Sequence, residues 1–346
     1  MQLDDVLVKF GIQNHFVKPF GKGLINKTWI VTSDKDEKEF ILQCINKIIF
    51  KSPENIAFNI RMVSEHLQHH NHGYFFPAPL QTKNGKDLLE TTGEYFRLFP
   101  FIKNTHTIDV VQNPQQAYEA AKQFGKFTKV LSALNPSQLK ITLPDFHNLS
   151  LRFKQFEEAL QNGNKLRIEH AKNVIAFIQQ QKNNVDEFEK IKSDSDFKIR
   201  VTHHDTKISN VLFDENDKGI CVIDLDTIMP GYFISDVGDM MRTYLSPVNE
   251  EEKDFTKIEI RKDFYHAIVN GYLSEMGEKL TQTETKYFFY AGKFMIYMQA
   301  LRFLTDYLNN DTYYGSKYED HNFVRAGNQV TLLIKLLEKE KDLISF

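Results

Sequence analysis

Sulfur is scarce in this 346-residue chain, and its two cysteines, Cys44 and Cys221, cannot build a disulfide framework. Each lies in an apolar run, Phe40 to Ile45 and Ile220 to Ile223, that reads as a buried strand. Neither sign of charge dominates, since 43 Lys and Arg face 46 Asp and Glu for a net charge of −3. A nucleic-acid surface needs Lys and Arg in excess to displace counterions, so nucleic acid is not an expected partner. No apolar stretch approaches the ~18 residues that span a bilayer, and the opening Met-Gln-Leu-Asp-Asp is acidic where a signal peptide is basic. Neither export nor membrane insertion is expected, and a reducing cytoplasm is the expected home. Internal repeats and low-complexity segments are missing too.

The composition that remains is that of a globular protein, 41% hydrophobic and 26% charged. At about 150 residues per domain its length suggests two domains or lobes. Small molecules are the expected partners, with no obligate protein partner evident. The oddity is aromatic: 29 Phe and 14 Tyr against one Trp, concentrated toward the C-terminal part.

From residue 13 to about 102 the pattern is mostly strand. Leu24 to Thr32 alternates, Asp34 to Lys38 is a charged turn and Phe40 to Ile45 is apolar, which predicts a hairpin. Ser52-Pro53-Glu54 supplies an N-cap, a first-turn proline and an early acid before Ile56, Ile60, Val63 and Leu67 at helical spacing. Asn84-Gly85 is a turn signal, and Glu94 to Ile102 reads as a last strand. The sum is a five-stranded sheet with one helix. Beyond Asn113-Pro114 the chain is mainly helical, over Pro114 to Leu134, Leu149 to Leu160 and Lys165 to about Ile191. Strand-like runs at Lys198 to Thr202, Asn210 to Asp214 and Gly219 to Leu225 interrupt it, and a β insertion in a helical region needs a reason.

Its residues supply one. His203-His204-Asp205-Thr206-Lys207-Ile208-Ser209-Asn210 has the H-x-D-x-x-x-x-N spacing of a phosphotransferase catalytic loop. There the Asp accepts or orients the proton of the attacking hydroxyl, and the Asn five residues on holds Mg²⁺. A second Asp at the end of the next strand completes such a site, and Asp224 occupies that place in Ile223-Asp224-Leu225-Asp226. Mg²⁺ prefers a few hard oxygens beside phosphate oxygens, which Asn210, Asp224 and, as a further candidate, Asp226 supply. The loop pattern alone occurs by chance, and a polar turn region is the plain alternative. An apolar strand before it, a hairpin after it and I-D-x-D at the hairpin's end make it specific. His203-His204 with Asp205 also suggests a metal-hydrolase site, but further His ligands are missing, because His69, His70 and His72 read as an exposed helix end.

Gly21-Lys22-Gly23 lies between two predicted strands, where a glycine turn can bring backbone N–H groups over ATP phosphates. Two glycines between strands are more often a plain hairpin, and it is the catalytic loop in the same chain that favours the phosphate reading. The next strand offers Gln43 where a Lys or Arg for the phosphates is expected. Which cation takes that place is open from the sequence.

These residues resemble the aminoglycoside phosphotransferase and choline kinase superfamily and, within it, the N-acetylhexosamine 1-kinases. Four stretches spanning most of the chain carry the resemblance: Gly21 to Thr28; Phe40 to Gln43 with Asn46; His203 to Asp214 with Val222 to Gly231; and Leu301 to Leu308 through Asp311 to Tyr313. Asp-Leu-Asp-Thr-Ile-Met-Pro-Gly and Leu-Arg-Phe-Leu-Thr-Asp-Tyr-Leu are much narrower than the superfamily-wide loop, and Gln43 also fits the narrower group. The resemblance implies an α+β, bilobal, protein-kinase-like fold. Its small antiparallel-sheet N-lobe, 1–103, would bind nucleotide, and its larger mainly helical C-lobe, 104–346, would carry catalysis and substrate. The implied reaction is ATP- and Mg²⁺-dependent phosphorylation of the anomeric hydroxyl of N-acetylglucosamine or N-acetylgalactosamine, giving the sugar 1-phosphate. By position, the resemblance makes Asp205 the catalytic base and gives the metal to Asn210 and Asp224. Gly21, Gly23, Asn26, Thr28 and Gln43 would lie against the nucleotide, and Asp205, Thr227, Arg302 and Tyr313 against the sugar.

Arg302 also has a reading of its own. It lies on a helix apolar nearly all round, where a guanidinium must find acceptors. Asp306, four residues on, is one, so a structural ion pair and a ligand contact both stand. Tyr313 and Tyr314 follow in a loop where a ring can stack on a sugar. Asp236 and Asp239 open a helix after the metal segment and are expected to cap it and brace the catalytic loop. Two other functions remain: a kinase of another small hydroxyl acceptor, of the choline, homoserine or aminoglycoside type, and a non-catalytic nucleotide- or sugar-binding module.

Overall fold

The computed structural model describes residues 3–21, 25–34, 37–71 and 73–345. Helix α1 (Leu3–Lys9) precedes strands β1 (His15–Pro19), β2 (Lys27–Ser33) and β3 (Glu39–Cys44); α2 (Pro53–His70), β4 (Leu89–Thr91) and β5 (Glu94–Pro100) follow. The strands form one antiparallel sheet in the order β1-β2-β3-β5-β4. Helices α3 (Pro114–Val130), α4 (Leu149–Asn162), α5 (Lys165–His170), α6 (Lys172–Gln180) and α7 (Asn183–Ser193) come next. Four short strands, β6 (Arg200–Thr202), β7 (Val211–Phe213), β8 (Gly219–Val222) and β9 (Met229–Gly231), pair as β6-β9 and β7-β8. The chain ends in α8 (Phe233–Tyr244), α9 (Lys262–Met276), α10 (Phe288–Leu308), α11 (His321–Glu338) and α12 (Glu340–Ile344). A small antiparallel sheet lobe and a larger helical lobe are thus present, as the sequence led us to expect.

Differences are local. The β4–β5 hairpin turns at Thr92-Gly93, both with positive φ (50° and 77°), which a two-residue hairpin of this twist requires. Asn84-Gly85 instead closes a turn on Thr82, and the run before it pairs with β5 as an isolated Leu80–Leu98 bridge. Ser52 holds the N-cap position without a side-chain bond, so Pro53 is what marks that helix start. The single helix expected over 165–191 is divided into α5, α6 and α7, and α1 is too short to show a period.

Strand alternation separates two jobs within the sheet. Leu42, paired with Trp29 and Leu98, lies on the face that packs with Val6, Leu7, Val31 and Phe96 into the small lobe's own core. The opposite face carries Thr28, Gln43 and Arg97 in direct register. Helix α2 belongs elsewhere: Ile56, Ile60, Val63 and Leu67 join the core that fills the helical lobe. At full burial each such side chain contributes about 1.5–3 kcal/mol, which fastens α2 to the larger lobe.

The aromatic excess is mostly core. In α10, Phe288, Phe294, Tyr297, Phe303 and Tyr307 are buried, and Tyr290 and Tyr297 donate their hydroxyls to the carbonyls of Asn184 and Ile178. Cys44 and Cys221 are buried, unpaired thiols. Among the described residues no helix is long and apolar enough to cross a membrane.

Candidate active site

The loop between β6 and β7 is held from behind by buried partners. Asp236 and Asp239 lie inside α8 and do not cap it, but they brace the loop as expected. Asp236 accepts the N–H groups of His203 (3.1 Å) and His204 (2.7 Å), and Asp239 accepts that of Thr206 (2.9 Å). Thr206 donates its hydroxyl to the Asp236 carbonyl, and Tyr244 donates to the Thr206 carbonyl at 2.6 Å. His203 is buried against Phe124 and meets the Ile223 carbonyl at 2.9 Å, which ties the loop to the segment after β8. His204 takes a left-handed φ of 66° and turns to Thr202 and His147. The two histidines therefore face different partners, and no cluster of three metal-ligating His, Cys, Asp or Glu occurs among the described residues. Gly231 permits this packing, since a Cβ there would stand 2.4 Å from His204 Cε1.

Asp205 projects from this loop. Lys207 Nζ lies 3.0 Å from one carboxylate oxygen, and Asn210 Nδ2 donates to the other at 3.0 Å and to the Asp205 carbonyl at 2.9 Å. Burial pushes the Asp205 acid up, but Lys207 and then His203 outweigh it, so the net direction is down. Because Asn210 turns its NH₂ toward Asp205, its amide oxygen is the end available to a cation.

Asp224 occupies a left-handed residue, φ 59°, right after β8. Its residue is solvent-exposed. Partial desolvation by neighbouring protein atoms, then the Asp226 and Asp205 carboxylates, push its acid up to about 7. A carboxylate crowded by two others beside an amide oxygen is a donor set that suits a hard divalent cation, so Asn210 and Asp224 fit Mg²⁺. Asp226 does not share that freedom. Its two oxygens meet Arg97 Nη1 at 2.5 Å and Asn26 Nδ2 at 2.7 Å, both from the small lobe.

That contact builds the opposite wall. Gln43 Oε1 accepts Arg97 Nε at 3.0 Å, and Gln43 Nε2 reaches Thr28 Oγ1 at 3.5 Å. Asn26 Oδ1 accepts the backbone N–H of Asn46 at 3.0 Å. Thr28 and Gln43 are thus bonded to each other and reach Asp226 through Arg97, whereas Asn26 bonds Asp226 directly. Gly21, φ 74°, lies in the turn after β1, whereas Gly23 and Lys22 fall outside the described residues. Asn59 of α2 donates to the carbonyls of Ile228 (2.8 Å) and Lys140 (2.7 Å), tying that helix to the Asp224 segment. Sequence reasoning missed Arg97 and Asn59. Strand alternation puts Arg97 on the Gln43 face, but only the β3–β5 register makes them neighbours.

At the far end, Arg302 is not paired with Asp306. The Asp306 carboxylate accepts the N–H groups of Tyr313 (2.7 Å) and Tyr314 (2.9 Å) and Asn322 Nδ2 (3.0 Å), shaping the loop that holds both tyrosines. The Arg302 guanidinium sits 5.4–5.9 Å from the rings of Phe146, Tyr313 and Tyr314, with a 3.4 Å bond to Gln299. Arg152 lies near enough to repel it and bonds only Gln155 and the Asp145 carbonyl. Among the described residues neither arginine has a carboxylate within ion-pair distance, and the Asp145 carboxylate attracts Arg152 from farther off. Burial, then His204 and Arg302, hold His147 well below its ordinary value, so it is neutral. Thr227 is occupied, its hydroxyl donated to the His203 carbonyl at 2.6 Å. Tyr313 is 70% exposed.

The chain is similar to known proteins in sequence and in fold. The sequence profile of the phosphotransferase enzyme family matches residues 17–276, well over half of the chain. A spectinomycin phosphotransferase solved with ADP and spectinomycin superposes with a TM-score of 0.62 at 15% identity, covering 97% of this chain and 98% of that one. A microcompartment-associated aminopropanol kinase gives 0.65 at 12% identity, over 99% and 98%. Choline kinase from Cryptosporidium parvum gives 0.59 at 13% identity, over 96% and 91%. At these identities the likeness to the solved structures is one of fold.

Proposed function

Because the chain belongs to the phosphotransferase enzyme family, we propose that it transfers the terminal phosphoryl group of ATP to the anomeric hydroxyl of an N-acetylhexosamine. N-acetylglucosamine or N-acetylgalactosamine would leave as the 1-phosphate. Residues 1–103 would hold the nucleotide, and residues 104–346 the acceptor and the reacting groups. A spectinomycin phosphotransferase of this fold takes ADP together with its small-molecule partner, which supports a nucleotide and an acceptor meeting in one cleft.

Asp205 is the group positioned to take the hydroxyl proton as the anomeric oxygen bonds to phosphorus and the bond to the β-phosphate oxygen breaks. Lys207 and Asn210 hold its two oxygens apart and keep it ionised near neutral pH. A base this acidic contributes mainly by orienting the hydroxyl, which suits a loose transition state in which proton transfer comes late. The Asn210 amide oxygen and the Asp224 carboxylate would hold Mg²⁺, which when bound neutralises phosphate charge. Thr227 donates its hydroxyl to the His203 carbonyl, so it braces the loop and can only accept from a sugar hydroxyl.

One observation supports the sugar over other acceptors: Arg152 and Arg302, two guanidiniums with no carboxylate in ion-pair contact, lie close together where the acceptor would bind. Choline and aminoglycosides are cations and would be repelled there, whereas sugar hydroxyls and an acetamido carbonyl are acceptors for guanidinium donors. The rings of Tyr313 and Tyr314 offer apolar faces to a sugar ring. The test is a panel of N-acetylglucosamine, N-acetylgalactosamine, choline, homoserine and an aminoglycoside with Mg·ATP, the product identified by phosphorus NMR. An anomeric phosphate on either sugar is expected. Turnover of a cationic acceptor with neither sugar phosphorylated sinks the assignment, and Mg·ATP binding without turnover of any acceptor would make the protein a binding module.

A further inference from the structure

We propose that Arg97 is the cation that binds the nucleotide's phosphates, in place of the basic residue that Gln43 displaces on β3, and that Gln43 and Asp226 position it. The inference rests on the nucleotide reading above and adds the residue that sequence left unnamed.

The geometry is specific. Arg97 stands directly across the β3–β5 ladder from Gln43, so both side chains rise from one face of the sheet, toward the cleft. Of the cleft-facing positions of β2, β3 and β5, which include Thr28, Ile30, Ile41, Gln43, Arg97 and Phe99, only Arg97 carries a positive charge. Lys27 is one residue out of phase, opposite Cys44 on the α1 side. Gln43 accepts Arg97 Nε at 3.0 Å and an Asp226 oxygen lies 2.5 Å from Nη1 as an ion pair, while neither Nη1 nor Nη2 makes a hydrogen bond among the described residues. Asp226 is two residues beyond Asp224, so its ion pair sets Arg97 beside the segment that would hold the metal, and Lys207 lies 3.0 Å from Asp205 on the 203–210 loop.

A lobe clamp alone is the competing role. A buried Arg–Asp pair is a weak source of stability compared with apolar packing, and Arg97 is 2% exposed. The two roles separate in binding. A phosphate contact discriminates ADP from adenosine, whereas a clamp affects both ligands alike.

The measurement is calorimetric binding of ADP and of adenosine in Mg²⁺, with melting curves as the folding control. Wild-type protein is expected to prefer ADP, and Arg97→Gln to lose about 10- to 100-fold of that preference with adenosine binding unchanged. The double variant Gln43→Lys/Arg97→Gln returns a cation to β3 and is expected to recover much of the preference. If the single variant does not fold, Arg97→Gln/Asp226→Asn, which removes both charges, carries the same comparison. A folded variant that keeps the full preference, or loses ADP and adenosine equally, overturns the assignment of Arg97 and leaves the kinase reading intact. Wild-type protein that binds neither ligand overturns both.

Discussion

The two walls of the cleft are assembled by different means. The catalytic-loop wall is a single stretch, 203–210, hung on buried carboxylates of one helix, with Asp236 and Asp239 receiving three of its backbone N–H groups. The strand wall is a cross-register set in which Thr28, Gln43 and Arg97 come from three strands and close on Asp226 of the other lobe. A contiguous loop fixes its chemistry by spacing and can be read from a motif. A cross-strand set fixes its chemistry by register, so the cation can move from one strand to its neighbour and leave the motif looking incomplete.

The widest separation between the walls should come from the group proposed to react. Asp205→Asn removes the proposed proton acceptor while keeping a hydrogen-bonding side chain between Lys207 and Asn210. Turnover is expected to fall by about 10²- to 10⁴-fold, with Mg·ATP affinity close to wild type. Coupled ADP release and calorimetry check the two halves, and an Asp205→Asn enzyme with undiminished turnover would contradict the assigned role.

The next contrast concerns stability. Asp236→Ala leaves the N–H groups of His203 and His204 buried without acceptors, and the loss of a satisfied buried donor costs about 1–3 kcal/mol each. Thr28→Val on the strand wall removes only a 3.5 Å contact to Gln43 and is expected to cost under about 1 kcal/mol. Urea unfolding of the two variants tests the difference. Equal losses would mean that the loop is not braced from α8 as the hydrogen bonds indicate.

The acceptor end yields a smaller effect. Arg302→Ala takes away the guanidinium that faces Phe146, Tyr313 and Tyr314 but leaves Asp306 holding the tyrosine loop. The acceptor KM is expected to rise by about 10- to 100-fold with the ATP KM unchanged. A change in both constants together would place Arg302 among the structural groups.

How much was legible follows the same division. The sheet, α2 and the β insertion follow from periodicity, and the meeting of Asn210 with Asp205 follows from fixed spacing, which the chain carries locally. The hairpin at Thr92-Gly93 was missed because a threonine at positive φ is not a turn signal. Arg97 and Asn59 were missed because their partners lie far away in sequence, and a buried Arg in a strand pattern reads as an interruption. The Arg302–Asp306 pair seemed plausible at four-residue spacing, yet backbone N–H groups of the following loop occupy that carboxylate. Local spacing cannot show that competition.

The smallest effect sharpens the comparison at the point where the walls meet. Without a divalent cation, the folded protein holds the Asp224 proton up to about pH 7, above the ordinary Asp value of about 4. A carboxyl whose folded-state pKa is raised contributes stability that is fully present below its unfolded value and is lost as pH rises through the folded one. The melting temperature of the cation-free protein should therefore carry a declining contribution between about pH 4 and pH 7. Asp224→Asn removes it, so the variant should melt above wild type at about pH 8, with the gap closing toward about pH 5. Solvent reaches Asp224 from the cleft, which keeps the difference small. Asp236, also pushed up to about 7 by burial, is common to both proteins and cancels in the comparison. Added Mg²⁺ should reverse the order by stabilising only the wild type, since the ionised carboxylate is the ligand and the amide is not. Parallel melting curves for the two cation-free proteins across the whole pH range would mean that Asp224 is not crowded by Asp226 and Asp205.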